Sequence, residues 1–164
     1  MKISLSIALV TILLIGCAKV DQTKFEQLYR AGKNLEGAVG VGVNLLKYRE
    51  LLQAFNTEIS IAKDKAQNAP EQEMVQAYAR ALSAFKDAET VWAKSITAET
   101  LGVSDADLKR IAGEYTINGS GSGSNFTFNA KGAVQAIWQS AGNRLTFASQ
   151  LYNGESSSSL PAPQ

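Results

Sequence analysis

The sequence predicts an all-α fold, an antiparallel bundle of about four helices built around a long helical hairpin. Apolar residues recur at alternating steps of three and four from residue 38 to 66 and again from 75 to 96, which is the spacing of one helix face. A third apolar face recurs between residues 134 and 152. The 164 residues are enough for one small domain and too few for two.

The first helix is predicted from Val20 to Glu36, because apolar side chains there share a stripe and Glu26 lies four residues before Arg30. Residues 37–43 are rich in glycine but contain no Pro and no Asp or Asn turn pair. We therefore interpret them as helix that is kinked or closely packed against a neighbour, rather than as a loop.

The long hairpin has two arms of similar period. The first runs from Ala38 to Ala66 and the second from Val75 to Ile96, with Glu89 as the polar residue on its apolar register. Pro70 separates the arms, since proline disfavours helix in the residue before it and suits a new helix start. Two such arms joined by a short turn are expected to pack antiparallel. The apolar positions of the first arm are Ala38, Val41, Leu45, Tyr48, Leu52, Phe55, Ile59, Ala62 and Ala66.

A short helix and an uncertain segment follow the hairpin. The run from Ser104 to Asp107 resembles an N-cap with acidic residues in the first turn, so a short helix to about Ile111 should follow. Residues 113–128 contain strand-forming residues on both sides of a Gly/Ser run. They predict either a small β-hairpin or a flexible loop.

The last helix is predicted from Ala130 to Tyr152, where six apolar residues between positions 134 and 152 share one face and Gly154 provides the end. Residues 154–164 are rich in Ser and Pro and are predicted to be a disordered tail. The helical domain is therefore expected to cover residues 25–153.

The first seventeen residues read MKISLSIALVTILLIGC. They begin with a basic Lys2, continue with an apolar run over residues 3–15 and end in a small residue before Cys17. An apolar run of this length is typical of a signal peptide, because a membrane span needs about 20 residues. The ending Leu14-Ile15-Gly16-Cys17 resembles the lipobox of bacterial lipoproteins.

This resemblance implies that residues 1–16 are a signal peptide removed before Cys17, whose sulfur then carries a covalent lipid. No cofactor is expected besides this lipid. Residues 17–24 would form the lipidated amino terminus and a short tether. The lipid would hold the protein on a membrane of the bacterial cell envelope, and Ala18 in place of Asp implies the outer membrane, facing the periplasm. The alternative is that Cys17 is an ordinary buried thiol at the end of an N-terminal anchor helix.

Composition excludes several classes of function. The chain has no His, which removes Ser-His-Asp and Cys-His catalysis, imidazole zinc sites and histidine-ligated haem. Without the leader it carries 15 basic and 15 acidic side chains, a balance that argues against nucleic acid as a partner. Cys17 is the single cysteine, so once it carries lipid none remains for a disulfide, a metal or a nucleophile.

Several patterns that could carry chemistry have simpler structural interpretations. The glycines at 37, 40 and 42 match no phosphate-binding motif, and two Ser-x-x-Lys pairs lack any companion motif. Glu71 and Glu73 fit a helix start, Asp87 a solvated surface, and Asp105 with Asp107 a helix cap. We therefore expect no catalytic residue, no metal site and no enzymatic activity. The Ser-x-x-Lys pairs are Ser60 with Lys63 and Ser83 with Lys86.

Aromatic side chains supply the candidate contact residues. Most of those on the helix faces fit a filled core. Trp138 lies one position off the best apolar stripe, so we expect it to be exposed and to contact a partner or ligand. Tyr115 and Phe126, on the two sides of the Gly/Ser run, are further candidate contact residues. The sequence thus predicts a non-enzymatic envelope protein that binds another envelope protein or supports envelope structure. The alternative is a carrier of a small apolar ligand or lipid in a pocket between the helices.

Overall fold

The computed structural model describes residues 19–160, so the leader, Cys17 and residues 161–164 lie outside the described part of the chain. The helices are α1 Gln22–Val41, α2 Leu45–Lys65, α3 Ala69–Ser95, α4 Ala106–Glu114 and α5 Ala130–Tyr152, and the strands are β1 Thr100–Gly102, β2 Gly119–Ser120 and β3 Thr127–Asn129. The described chain is therefore mostly helical. The predicted helical character is confirmed in part: the fold is not strictly all-α, because the strands form an antiparallel sheet in the order β1-β3-β2.

Each helix within residues 19–160 begins after an Asn or Asp whose side chain accepts a hydrogen bond from a backbone N–H of the first turn. Helix starts prefer such caps, since these N–H groups have no partner inside the helix. Pro70 adds a second start signal at the beginning of α3. The starts of the helices thus follow from local sequence. The caps are Asp21, Asn44, Asn68, Asp105 and Asn129.

The junction of α1 and α2 differs from the prediction of continuous helix. The chain leaves α1 at Gly42, which has a φ of +93°, and Asn44 then caps α2 through the Lys47 N–H. A Cβ added to Gly37 or Gly40 would meet nothing within 4 Å, so these glycines are not closely packed either. The cap and a glycine with positive φ together favour a turn over a kinked helix.

Four long helices pack with their neighbours running in opposite directions. Arg49 near the start of α2 pairs with Glu89 near the end of α3. Gln22 at the start of α1 donates to the Tyr152 carbonyl at the end of α5. The most extensive helix interface lies between α3 and α5. These helices enclose a first apolar cluster, whose largest fully buried side chains are Phe25, Tyr48, Phe55, Tyr78 and Phe85.

A second apolar cluster lies where α4 and the sheet cover the adjoining parts of α3 and α5. Ile111 of α4, Phe128 of β3 and Ile137 of α5 are almost completely buried in it. Of the two alternatives for residues 113–128, the structure has the small hairpin, in which β2 pairs with β3. The third strand, β1, lies outside residues 113–128, where the hairpin was predicted, and its Leu101 is opposite Phe128.

Helix α5 ends at Tyr152, as predicted, and Gly154 follows it with a φ of +87°. In the described part of the predicted tail, Ser157–Ser159 form one 3-10 turn and Leu160 packs against the first cluster. Within residues 19–160, none of the helices combines the length and the apolar character that crossing a membrane requires.

Candidate functional site

Trp138 is not exposed, contrary to our expectation. Its side chain is half-buried, and its indole Nε1 donates a hydrogen bond to the Tyr48 hydroxyl at 3.0 Å. Its ring centroid lies 5.8 Å from that of Tyr48 and 5.5 Å from that of Trp92. Tyr48 in turn donates to the Phe85 carbonyl at 2.8 Å. Trp138 therefore joins α5 to α2 and α3, because a large ring one position off the stripe still reaches the core.

Phe126 and Tyr115, the other two candidate contact residues, lie on different parts of the second cluster. Phe126 precedes β3 and is half-buried, with its ring centroid 6.4 Å from that of Phe128. Tyr115 follows the last residue of α4 and is half-buried between α3 and α5. Of these three residues, Tyr115 lines a polar groove between the end of α4 and α5.

Asp87 is the centre of a polar cluster beside this groove. Its side chain is only 8% exposed, so the expectation that it lies on a solvated surface is wrong. The Arg110 guanidinium donates to both carboxylate oxygens, and the Tyr115 hydroxyl donates to Oδ2 at 2.8 Å. Asp87 lies on α3 and its partners lie on α4 and its end, so the carboxylate holds α4 against the helical core.

Glu114 adds a second carboxylate to the cluster. It accepts hydrogen bonds from Arg110 at 2.9 Å and from Arg144 of α5 at 3.2 Å. The Arg144 guanidinium carbon lies 5.4 Å from the Tyr115 ring centroid. Two acids and two arginines are therefore arranged so that each charge is next to an opposite one.

Burial is the main cause that raises the pKa of Tyr115 above its ordinary range, and the hydrogen bond to Asp87 adds to it. The hydrogen bond to Asp87 also raises the pKa of Arg110. Near neutral pH the phenol therefore remains a hydrogen-bond donor and the guanidinium remains charged. The cluster holds its protons firmly, which suits a positioning role better than proton transfer.

The groove, called the α4–α5 groove below, has a volume of about 390 Å³. Thr116 in its wall has a φ of +48°, a left-handed conformation that strains a β-branched residue. The end of α4 has a hydrogen bond from the Ile117 N–H to the Ala112 carbonyl, a pattern that usually has glycine at the position of Thr116. The groove is lined by Glu114, Tyr115, Thr116, Ala136, Gln139, Ser140 and Asn143.

A second open groove, the α2–α3 groove, has a volume of about 550 Å³ and no aromatic residue in its wall. Its charged groups are already engaged, because Arg49 pairs with Glu89 and Lys86 donates to Asn56 Oδ1 at 2.9 Å. The groove is lined by Arg49, Leu52, Gln53, Asn56, Lys86, Glu89 and Thr90.

The carboxylates noted in the sequence bind different partners in the structure. Glu71 lies in the first turn of α3, as predicted, but it is buried and accepts from Lys24 Nζ at 2.7 Å and from the Gln67 N–H at 2.8 Å. Asp87 binds Arg110, whereas Glu89 binds Arg49. Within residues 19–160, no group of three or more His, Cys, Asp or Glu side chains could hold a metal ion.

The Ser-x-x-Lys pairs also have separate surroundings. The Ser60 hydroxyl donates to the Asn56 carbonyl, and Lys86 donates to the Asn56 side chain. Ser83 and Lys63 are exposed. These positions therefore match the ordinary helix-surface interpretation.

Sequence reasoning did not find Asp87 and Arg110 as partners, because they lie 23 residues apart on helices whose packing no local pattern specifies. The available signal was an acid among Ala84, Ala88 and Val91, apolar residues of α3 that lie off the predicted register and are buried in the structure. Comparison of the chain with protein-family models, with curated proteins and with solved structures gives no match.

Proposed function

We propose that the chain is a lipid-anchored protein of the bacterial cell envelope, held on the outer membrane and facing the periplasm, whose domain is a non-enzymatic binding module. The observation that carries this proposal is the leader, in which a basic start and a short apolar run precede Leu14-Ile15-Gly16-Cys17. Attachment of two or three acyl chains makes such an anchor effectively permanent, since each buried CH₂ contributes about 0.8 kcal/mol.

The start of α1 supports a position close to the membrane. Because α1 begins at Gln22, the five residue steps from Cys17 to this helix span at most about 18 Å. A lipid on Cys17 would therefore hold the domain next to the bilayer, with little freedom to move away from it.

The arrangement of charged side chains supports a binding module rather than an enzyme. Asp87, Glu71 and Asp105 are each engaged by cations or by backbone N–H groups, which favours structural roles. The partners of these three carboxylates lie in different parts of the fold, so no two of the three carboxylates face the same cleft. A hydrolase would need two such groups beside one substrate bond.

The interior supports binding at the surface more than transport of an apolar ligand. The aromatic side chains that could have lined a carrier pocket fill the first cluster, where Tyr48, Phe55, Tyr78 and Phe85 are almost completely buried. Outside this core, Val41, Leu46 and Ile96 are exposed and the grooves are polar. We therefore place the binding function on the exterior of the domain.

The anchor is tested by Cys17→Ser, with Ala18→Ser as the matched control because it introduces the same residue at the next position. Cells are grown with an alkyne-labelled fatty acid, and their membranes are separated by density gradient. We expect the control to carry the label in the outer-membrane fraction and Cys17→Ser to carry none. Gly16→Leu should leave the leader uncleaved, which mass spectrometry detects. Label and membrane attachment that persist in Cys17→Ser would contradict the anchor.

A further inference from the structure

We propose that the α4–α5 groove binds a neutral saccharide. The site lies between the end of α4 and one face of α5, beside the Asp87 cluster. Its volume of about 390 Å³ is at the lower end of the range of small-molecule sites, roughly 300 to 1,000 Å³, and suits one or two sugar rings.

Two side-chain amides give the groove its hydrogen-bonding capacity. Gln139 and Asn143 are exposed, line the groove and lie one helical turn apart on α5. In the described part of the chain neither side chain has a hydrogen-bond partner. Each amide offers two N–H donors and one carbonyl acceptor, and residues four apart have Cβ atoms about 6 Å apart. Such a pair can donate to and accept from neighbouring hydroxyl groups of one sugar ring.

Tyr115 provides a rigid aromatic wall. Its hydroxyl is held by Asp87, and Arg144 lies against its ring, so the ring is fixed before a ligand arrives. An aromatic ring combined with a few placed polar groups is typical of small-molecule sites, and the C–H face of a pyranose packs on such a ring.

The charges around the groove favour a neutral ligand. The Glu114 carboxylate is engaged by Arg110 and Arg144, so a cation would have to displace an arginine. The same two arginines are engaged by carboxylates, so an anion finds no unpaired partner. An apolar ligand would cover the amides of Gln139 and Asn143 without replacing their bonds to water, which is unfavourable.

The source of the saccharide rests on the proposed function, since a domain held in the cell envelope is surrounded by glycan polymers. Two sources share the required chemistry, namely chains of N-acetylated amino sugars and chains of unmodified hexoses. A trimer of N-acetylglucosamine and a trimer of glucose represent these two sources in the experiment.

The test uses the full lipidated protein, extracted in a zwitterionic detergent because a sugar-headed detergent would compete for the groove. Saturation-transfer difference NMR is recorded with each trimer at millimolar concentration. We expect saturable transfer to at least one trimer, and the trimer that responds identifies the source. Absence of transfer to both trimers would overturn the proposal.

The variant Gln139→Ala/Asn143→Ala is expected to raise the Kd about tenfold, which corresponds to the loss of two hydrogen bonds of about 0.7 kcal/mol each. The matched control is Gln53→Ala/Asn56→Ala, which removes the same residue types from the α2–α3 groove and should change the Kd less than twofold. All four positions are exposed, so both variants should fold, which circular dichroism checks. Equal effects of the two variants would overturn the proposal.

This result is separate from the test of the anchor. Saccharide binding is measured on purified protein and depends on residues of α4 and α5, whereas lipid attachment depends on Cys17. If the protein carries the lipid label but the purified protein shows no saturation transfer, only the proposal of a saccharide site is overturned. Failure of the labelling experiment removes the anchor and leaves the titration valid.

Discussion

The hydroxyl of Tyr115 lies 2.8 Å from the Oδ2 carboxylate atom of Asp87, so the residue that follows α4 is bound to a buried acid of α3. Arg110 binds the same carboxylate from within α4. This three-residue contact fixes how α4 lies on the helical core, and it therefore sets the shape of the α4–α5 groove.

Tyr115→Phe should lower the free energy of unfolding by about 1.5 kcal/mol, because it removes a hydrogen bond to a charged, buried acceptor and leaves the ring in place. Tyr29→Phe is the control, since Tyr29 is also half-buried and stacked on a ring but its hydroxyl has no hydrogen-bond partner in the described chain. Urea denaturation measures both. A loss of the same size in the control would show that the Asp87 contact contributes nothing specific.

Thr116→Gly should raise the free energy of unfolding by about 1 kcal/mol. Glycine relieves the strain of about 1 to 3 kcal/mol that threonine has at a φ of +48°. The greater conformational freedom of glycine in the unfolded chain offsets part of this gain. Gly154 occupies the corresponding position after α5, where the Glu155 N–H binds the Gln150 carbonyl. The control Thr146→Gly, at an exposed position inside α5, should lower stability by about 0.5 kcal/mol. Destabilisation by Thr116→Gly would contradict the strain.

Trp138→Ala should lower the free energy of unfolding by about 3 kcal/mol, because it opens the interface of α5 with Tyr48 and Trp92 and removes a hydrogen bond. Ile96→Ala should change it by less than about 0.5 kcal/mol, since Ile96 is 71% exposed. Thermal unfolding followed by circular dichroism compares them. Equal and small effects of Trp138→Ala and Ile96→Ala would indicate that Trp138 is a surface residue, as the sequence suggested.

Gly32→Ala and Gly37→Ala make the same change at two positions of α1 with different surroundings. A Cβ on Gly32 would lie 2.9 Å from Leu145 Cδ1, whereas one on Gly37 meets nothing within 4 Å. We expect Gly37→Ala to stabilise the protein by about 0.5 to 1 kcal/mol through helix propensity, and Gly32→Ala to be less stable than Gly37→Ala by about 1 to 3 kcal/mol. Denaturation midpoints that coincide would contradict close packing at Gly32.

Glu71→Gln tests the pH dependence of stability. Burial acts to raise the pKa of Glu71, but the Gln67 N–H and Lys24 outweigh it, so the pKa is lowered from its ordinary value of 4.5. A lowered pKa in the folded state contributes stability above the unfolded-state pKa, and this contribution is lost as pH falls through the folded-state value. Glu71→Gln should therefore be less stable than the parent by about 2 kcal/mol at pH 7.

The difference between Glu71→Gln and the parent should diminish as pH falls below about 4.5, because the Glu71 carboxylate then takes up a proton first in the unfolded chain and, at lower pH, in the folded protein. Glu73→Gln, two residues further along α3, is the control and should change stability little, since Glu73 has no ion pair in the described chain. Urea titrations from pH 7 to pH 3 follow both variants. A difference that stays constant with pH would contradict the role of the charged form.

Some features could be predicted from local sequence because local forces decide them. The apolar spacing of Tyr48, Leu52 and Phe55 places them on one buried face of α2, as the structure confirms. The bounds of α5 agree with the prediction, because Asn129 caps its start and Gly154 suits its end.

Other features depend on contacts between distant segments, and the sequence pattern carries no signal for them. Asp87 was expected in solvent because its surroundings on α3 are set by α4, whose position depends on the second apolar cluster. Strand β1 forms because Leu101 lies opposite Phe128, a pairing across 27 residues. Trp138 was expected to be exposed to solvent, because periodicity gives the direction in which a residue leaves the helix axis and does not account for the length of a large side chain.

The sequence by itself determined the apolar faces of α2, α3 and α5, the charge balance and the prediction of a lipid anchor at Cys17, since each depends on neighbouring residues or on composition. Only the tertiary structure decided that Tyr115, Gln139 and Asn143 share one groove. The physical reason is that the packing of α4 on α3 and α5 fixes this groove, and packing is a property of the whole core.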